Sequence, residues 1–133
     1  MNEGIKALWL DALRSGEYPQ GTALLRKPWA SGNGKDKYCC LGVLCDLYIK
    51  SEENSADPQG PIGWEVHNPL AVILAYKVGG REAYLPLFVM DWAGLEDNEG
   101  GFVGSNGRWG SLAEMNDSGA TFEEIAEVIE EKF

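Results

Sequence analysis

Three cysteines, Cys39, Cys40 and Cys45, and a single histidine, His67, are the residues of this chain best suited to act as nucleophile, base or metal ligand. A thiol attacks as its thiolate, and a cysteine in the first turn of a helix is favoured by the partial positive charge of the helix N-terminus. Cys39 meets that description if a helix begins at Lys37 with Asp36 as its cap. His67 is then the one imidazole available as its base, with Asn68 or Asp91 to orient it. Cys39 and His67 therefore form a candidate catalytic pair for a cysteine-dependent hydrolase or transferase. The competing reading is packing, because free cysteine is often fully buried and behaves as a small hydrophobe. Two further cysteines close by favour packing, which takes precedence here. On an ideal helix Cys45 is rotated by about 240° from Cys39, which is about 120° the short way round, and by about 140° from Cys40. A metal needs converging ligands, so no metal and no cofactor is expected. An odd number of clustered cysteines also argues against a disulfide framework.

The tryptophans offer a different chemistry. Trp9 and Trp92 fall on helical patterns and read as core. Trp29, Trp64 and Trp109 fall in loop or hairpin settings, with Arg26 and Lys27 near the first and Arg108 beside the last. Aromatic faces next to cations can stack a nucleobase and neutralise its phosphate. The candidate ligand-binding set is thus Trp29, Trp64, Trp109, Arg108, Lys27 and Arg26, against the plainer possibility that these rings pin loops to the core. Arg26, Lys27, Lys35 and Lys37 are close enough in sequence to make one small anion pocket. The run Gly32-Asn33-Gly34-Lys35 lacks the first glycine and the Ser/Thr of a phosphate loop and is set aside.

The elements that must hold these residues follow from periodicity. Ile5, Leu8, Trp9, Ala12 and Leu13 recur at helical spacing over 3–15, ahead of Gly16. A second helix over about 37–50 is apolar nearly all round, broken by Gly42 and Asp46, so it must be central and buried. Gly42 costs helix propensity, and its value would be to let another backbone approach. Ser51 to Pro61 reads as a polar loop. Strands are expected over Ile62–Val66 and Ala71–Val78, with Gly79-Gly80 as a hairpin turn into Arg81–Leu85. Pro86 opens a helix that Gly94 ends. Phe102-Val103 and Arg108-Trp109 flank a glycine-rich turn and read as a small hairpin. A short helix spans Leu112–Asn116, and Thr121 with Glu124 fits a capping box at the start of the last helix. The fold class is α+β: four or five helices around a small antiparallel sheet, one domain over residues 1–133.

With 21 acidic against 11 basic residues the net charge is −10, which argues against binding nucleic-acid polymers or anionic membranes. The acidic last helix (Glu123, Glu124, Glu127, Glu130, Glu131) reads as a solvated face, with an interface to a basic partner as the alternative. No apolar run approaches the ~20 residues of a membrane span, and the N-terminus does not read as a signal peptide. The chain is expected to be cytoplasmic.

Four segments together resemble a group of small tailed-phage and prophage proteins: Leu8–Tyr18; Tyr38-Cys39-Cys40-Leu41-Gly42-Val43-Leu44-Cys45-Asp46-Leu47; Leu85-Pro86 with Trp92-Ala93-Gly94-Leu95; and Met115–Ala126. Residues 51–82 lie outside the likeness. It implies an accessory protein expressed in a bacterial host, and it carries no activity with it. The functional expectation is a non-enzymatic protein that binds a host protein or a small, nucleotide-like ligand to blunt host defence. The Cys39–His67 enzyme is the alternative, and a virion or assembly component acting through the acidic helix is the second.

Overall fold

The computed structural model describes residues 1–28, 35–59, 61–67 and 75–133. In chain order the elements are α1 (Glu3–Arg14), β1 (Arg26–Lys27), β2 (Lys37–Tyr38), α2 (Cys40–Ile49), α3 (Glu52–Ser55), β3 (Glu65–His67), β4 (Ala75–Lys77), α4 (Leu87–Ala93), β5 (Gly101–Val103), β6 (Trp109–Ser111), α5 (Leu112–Asp117) and α6 (Phe122–Lys132). The class is α+β. The expected single small sheet is instead three separate antiparallel pairs among the described residues, β1–β2, β3–β4 and β5–β6. Each strand has only two or three residues, so the helices provide the core and the ladders serve as straps around it.

α2 is the centre. Cys40 through Asp46 and Tyr48 are buried on it, and fully burying each leucine or valine contributes about 1.5–3 kcal/mol. α1 lays Ile5, Trp9 and Leu13 against this core, and the Trp9 indole N–H donates to the Cys40 carbonyl at 3.0 Å. α6 contributes Phe122, Ile125, Ala126 and Ile129, and the Thr121–Glu124 capping box at its start is present with both reciprocal bonds. Arg14 of α1 is paired with Glu123 and Glu130 of α6 at 3.3 and 3.0 Å, so part of the acidic face is tied to a neighbour.

Gly42 does what its position predicts. A Cβ there would overlap the Leu25 carbonyl, because the chain entering β1 crosses directly over the first turn of α2. Cys39 N–H reaches the same carbonyl at 3.2 Å. This crossing also explains why α2 starts later than expected. Tyr38 donates to the Pro19 carbonyl and accepts from Gly21 N–H, both at 2.8 Å, and it pairs with Arg26 in β1–β2. Residues 37 and 38 are thereby committed to strand. Asp36 does not cap α2; Cys39 does, in extended conformation.

Gly79 and Gly80 both have positive φ, 54° and 78°, and Val78 and Arg81 exchange two hydrogen bonds of 3.0 Å across them. The turn is therefore formed, but no strand follows it. Glu82 gives its carbonyl to Leu25 N–H at 2.7 Å and Leu85 N–H goes to Asn98, while β4 pairs with β3. Residues 71–74 of the expected strand lie outside the described residues. α4 ends at Gly94 with φ 74°, and β5–β6 forms the expected hairpin.

Candidate functional site

The only charged side chain on α2 is Asp46. It is 5% exposed, and a buried carboxylate must be fully bonded to be tolerated. Oδ2 accepts the Tyr18 hydroxyl at 2.6 Å and the Lys50 ammonium at 2.8 Å. Oδ1 accepts the Trp64 indole N–H at 3.0 Å. Burial pushes the Asp46 carboxyl up, but the bonds from Lys50, Tyr18 and Trp64 outweigh it and hold the carboxyl below its ordinary value. Tyr18 is pushed up to about 12, first by burial and then by its bond to Asp46. Lys50 is raised chiefly by its bond to Asp46.

Beside this hub stands a second one. The Arg26 guanidinium sends Nε and Nη2 to Asp36 Oδ2 at 3.0 and 2.7 Å. Its central carbon lies 4.1 Å from the Tyr76 ring centre, 5.3 Å from Tyr38 and 5.5 Å from Trp64. The rings continue edge to face from Tyr76 to Trp64, Tyr38 and Tyr18, at centre separations of 6.3, 6.1 and 5.0 Å. A partly buried cation over aromatic faces contributes about 0.5–2 kcal/mol. The geometry is therefore held by several mutually reinforcing contacts.

The two hubs border one cleft of about 710 Å³, lined by Glu17, Tyr18, Pro19, Arg26, Lys35, Asp36, Tyr38, Asp46 and Lys50. Of its three carboxylates, Asp36 is engaged by Arg26 and Asp46 by Lys50, with Glu17 as the third. The Lys50 side chain is 68% exposed and its ammonium sits 5.6 Å from the Tyr18 ring centre, which leaves a donor turned to solvent. The Tyr38 hydroxyl has no hydrogen-bond partner among the described residues, and burial raises it first. The cleft can therefore offer donors and ring edges to a small polar ligand.

Of the residues expected to bind ligand, Arg26 and Trp64 meet here, with Trp64 in a supporting place behind Asp46. Lys27 lies in β1 opposite Lys37. Trp29 lies outside the described residues. Arg108 and Trp109 line a different groove, which shares no residue with the cleft. Sequence reasoning passed over Tyr18, Asp36, Tyr38, Asp46 and Lys50. One signal was available, a lone carboxylate on an otherwise apolar helix, since such a group demands partners.

The cysteines sit apart from the cleft. Cys39 caps α2 and its Sγ accepts Gly42 N–H at 3.4 Å, yet it is only 5% exposed. Burial pushes its thiol up to about 11, against the lowering effect of the helix amides. Cys40 and Cys45 are fully buried, and burial raises both thiols well above their ordinary value. All three are free thiols. His67 is placed by its backbone in β3, paired with Ala75; its side chain lies outside the described part of the structure, as does Asn68. Among the described residues no three His, Cys, Asp or Glu side chains gather as a metal site, and no helix is long and apolar enough to cross a membrane.

A third cluster ties the candidate site to the C-terminal part of the chain. Asn116 is fully buried; its Oδ1 accepts from Cys40 N–H and Gln20 Nε2, both at 3.1 Å, and its Nδ2 donates to the Gly21 carbonyl at 2.7 Å. Gln20 also accepts Phe122 N–H at 3.1 Å, and Asp117 accepts Ala23 N–H at 2.7 Å. These bonds fix residues 18–25, and with them Tyr18, over the start of α2. No curated protein and no solved structure matches the chain. A family model spans residues 1–133, and the chain belongs to that family, a domain of unknown function designated DUF8296.

Proposed function

We propose that the chain is a non-enzymatic accessory protein of a tailed phage or prophage that binds a small ligand in the cleft bordered by Tyr18, Arg26, Tyr38 and Lys50. The ligand joins a planar ring to an anionic group, as a nucleotide does. One observation carries this reading: rings and cations are gathered around a cleft of about 710 Å³, within the ~300–1,000 Å³ usual for small-molecule sites. Asp46 and Asp36 are neutralised by their own partners, so of the three carboxylates in the lining it is Glu17 that opposes an incoming anion. Lys50, Lys35 and the Tyr38 hydroxyl remain as donors at the rim and wall. The likeness to phage proteins supports the origin, and capture of a host signalling nucleotide is the service such a protein would perform against host defence.

Native mass spectrometry of the purified protein, with thermal melts against a panel of mono-, di- and cyclic dinucleotides, tests this. The expected result is a co-purifying small molecule or a rise in Tm with at least one compound, reduced by Lys50→Gln. If nothing co-purifies and no compound raises Tm, the proposal fails.

A further inference from the structure

The β5–β6 hairpin carries an exposed feature that the cleft does not use. Val103 and Trp109 are directly opposite each other in the ladder, so their side chains share one face. They are 55% and 67% exposed, although residues of this kind are usually covered. The tryptophan is not a loose appendage. A Cβ on Gly101 would overlap its six-membered ring and the Asp97 carboxylate, so indole and carboxylate sit side by side over a bare glycine. Asp97 is itself fixed, with Oδ1 accepting Glu99 N–H at 2.9 Å and Gly101 N–H at 3.0 Å. Next to Trp109 runs a groove of about 480 Å³ walled by Phe102, Met115 and Glu114, with Arg108 as its one cation.

Charge selects the occupant. Residues 96–133, which supply β5, β6, α5 and α6, hold ten acidic side chains against two basic ones, Arg108 and Lys132. That net −8 is most of the −10 of the whole chain. An aromatic face beside a carboxylate in such a field attracts a cation, through the ring quadrupole and through direct charge. The long stem of Lys or Arg can at the same time cover Val103. We propose that this hairpin face docks a basic segment of a partner protein, with one Lys or Arg lying on the Trp109 indole beside Asp97. This surface is separate from the cleft, and either can stand without the other.

The test is a fluorescence-anisotropy titration of the full chain with a labelled peptide of alternating lysine and leucine, and with its glutamate–leucine counterpart. The lysine peptide is expected to bind, more weakly as salt is raised, and Trp109→Ala is expected to weaken it about fivefold, as loss of one exposed cation–π contact implies. Val103→Lys, which puts a like charge on the same face, should weaken it as well. Both side chains are exposed, and far-UV circular dichroism checks that the variants fold. Three results would overturn the proposal: equal affinity in Trp109→Ala and the parent, equal binding of the glutamate peptide, or a dimer in sedimentation that Trp109→Ala dissolves. The last would make a second copy of this chain the occupant.

Discussion

Replacing Asp46 by Asn keeps the shape of the side chain and removes its charge from the centre of the candidate site. In the parent the carboxylate accepts bonds of 2.6, 2.8 and 3.0 Å from Tyr18, Lys50 and Trp64. A hydrogen bond to a charged group contributes about 1.5–3 kcal/mol net. The Lys50 bond counts for less, because its side chain is 68% exposed and exposed ion pairs contribute only about 0–1 kcal/mol. The Asn carbonyl also still accepts one donor. A loss of about 2–3 kcal/mol at pH 7 follows. The pH dependence has a definite sign. The Asp46 carboxyl is held below its ordinary value in the folded protein, its bonds outweighing burial. Its contribution is therefore fully present above the unfolded value of about 3.9 and is lost as pH falls through the folded one. Urea unfolding of parent and Asp46→Asn at pH 7, 5 and 3, followed by far-UV circular dichroism, measures both. The gap should be constant from pH 7 to 5 and narrower at pH 3. A gap under about 0.5 kcal/mol at pH 7, where hydrogen bonds of this kind predict several times more, would refute the account of the hub. So would a gap that persists unchanged to pH 3.

Two further outcomes are expected. Gly42→Ala gains about 1 kcal/mol of helix propensity but drives a methyl into the Leu25 carbonyl; overpacking of about 1–3 kcal/mol should leave a net loss in a urea melt, and a gain in stability would show that β1 does not cross α2 so closely. Cys39, with its thiol pushed up to about 11, should be alkylated by iodoacetamide slowly and ever faster with rising pH up to that value, whereas a rate plateau below pH 7 would reveal an activated thiolate.

Apart from α3, which falls in the stretch expected to be a polar loop, the helices were legible from local rules, and so were several of their ends. Gly94 and Thr121 with Glu124 mark boundaries by chemistry that acts within one turn, and Gly42 announced a close backbone approach without saying whose. The start of α2 was misread because the competitor for Lys37 and Tyr38 is a strand pairing with Arg26 and Lys27, and helix propensity alone cannot weigh that. The β4 partner was misassigned for a related reason: a good turn at Gly79-Gly80 fixes a reversal of the chain, not what lies beyond it.

Chain chemistry by itself determined that α2 would be buried, that its cysteines would diverge rather than converge, and that Asp46 would be an anomaly there. Tertiary structure decided what became of each. It brought Tyr18 and Trp64 to Asp46 from 28 and 18 positions away, gathered Arg26 onto three rings, and separated Trp109 from Trp64. It also decided the fate of Cys39, at a helix N-terminus that favours thiolate but inside a core that opposes it. Burial wins there because the loss of water around a charged sulfur outweighs what the helix amides return.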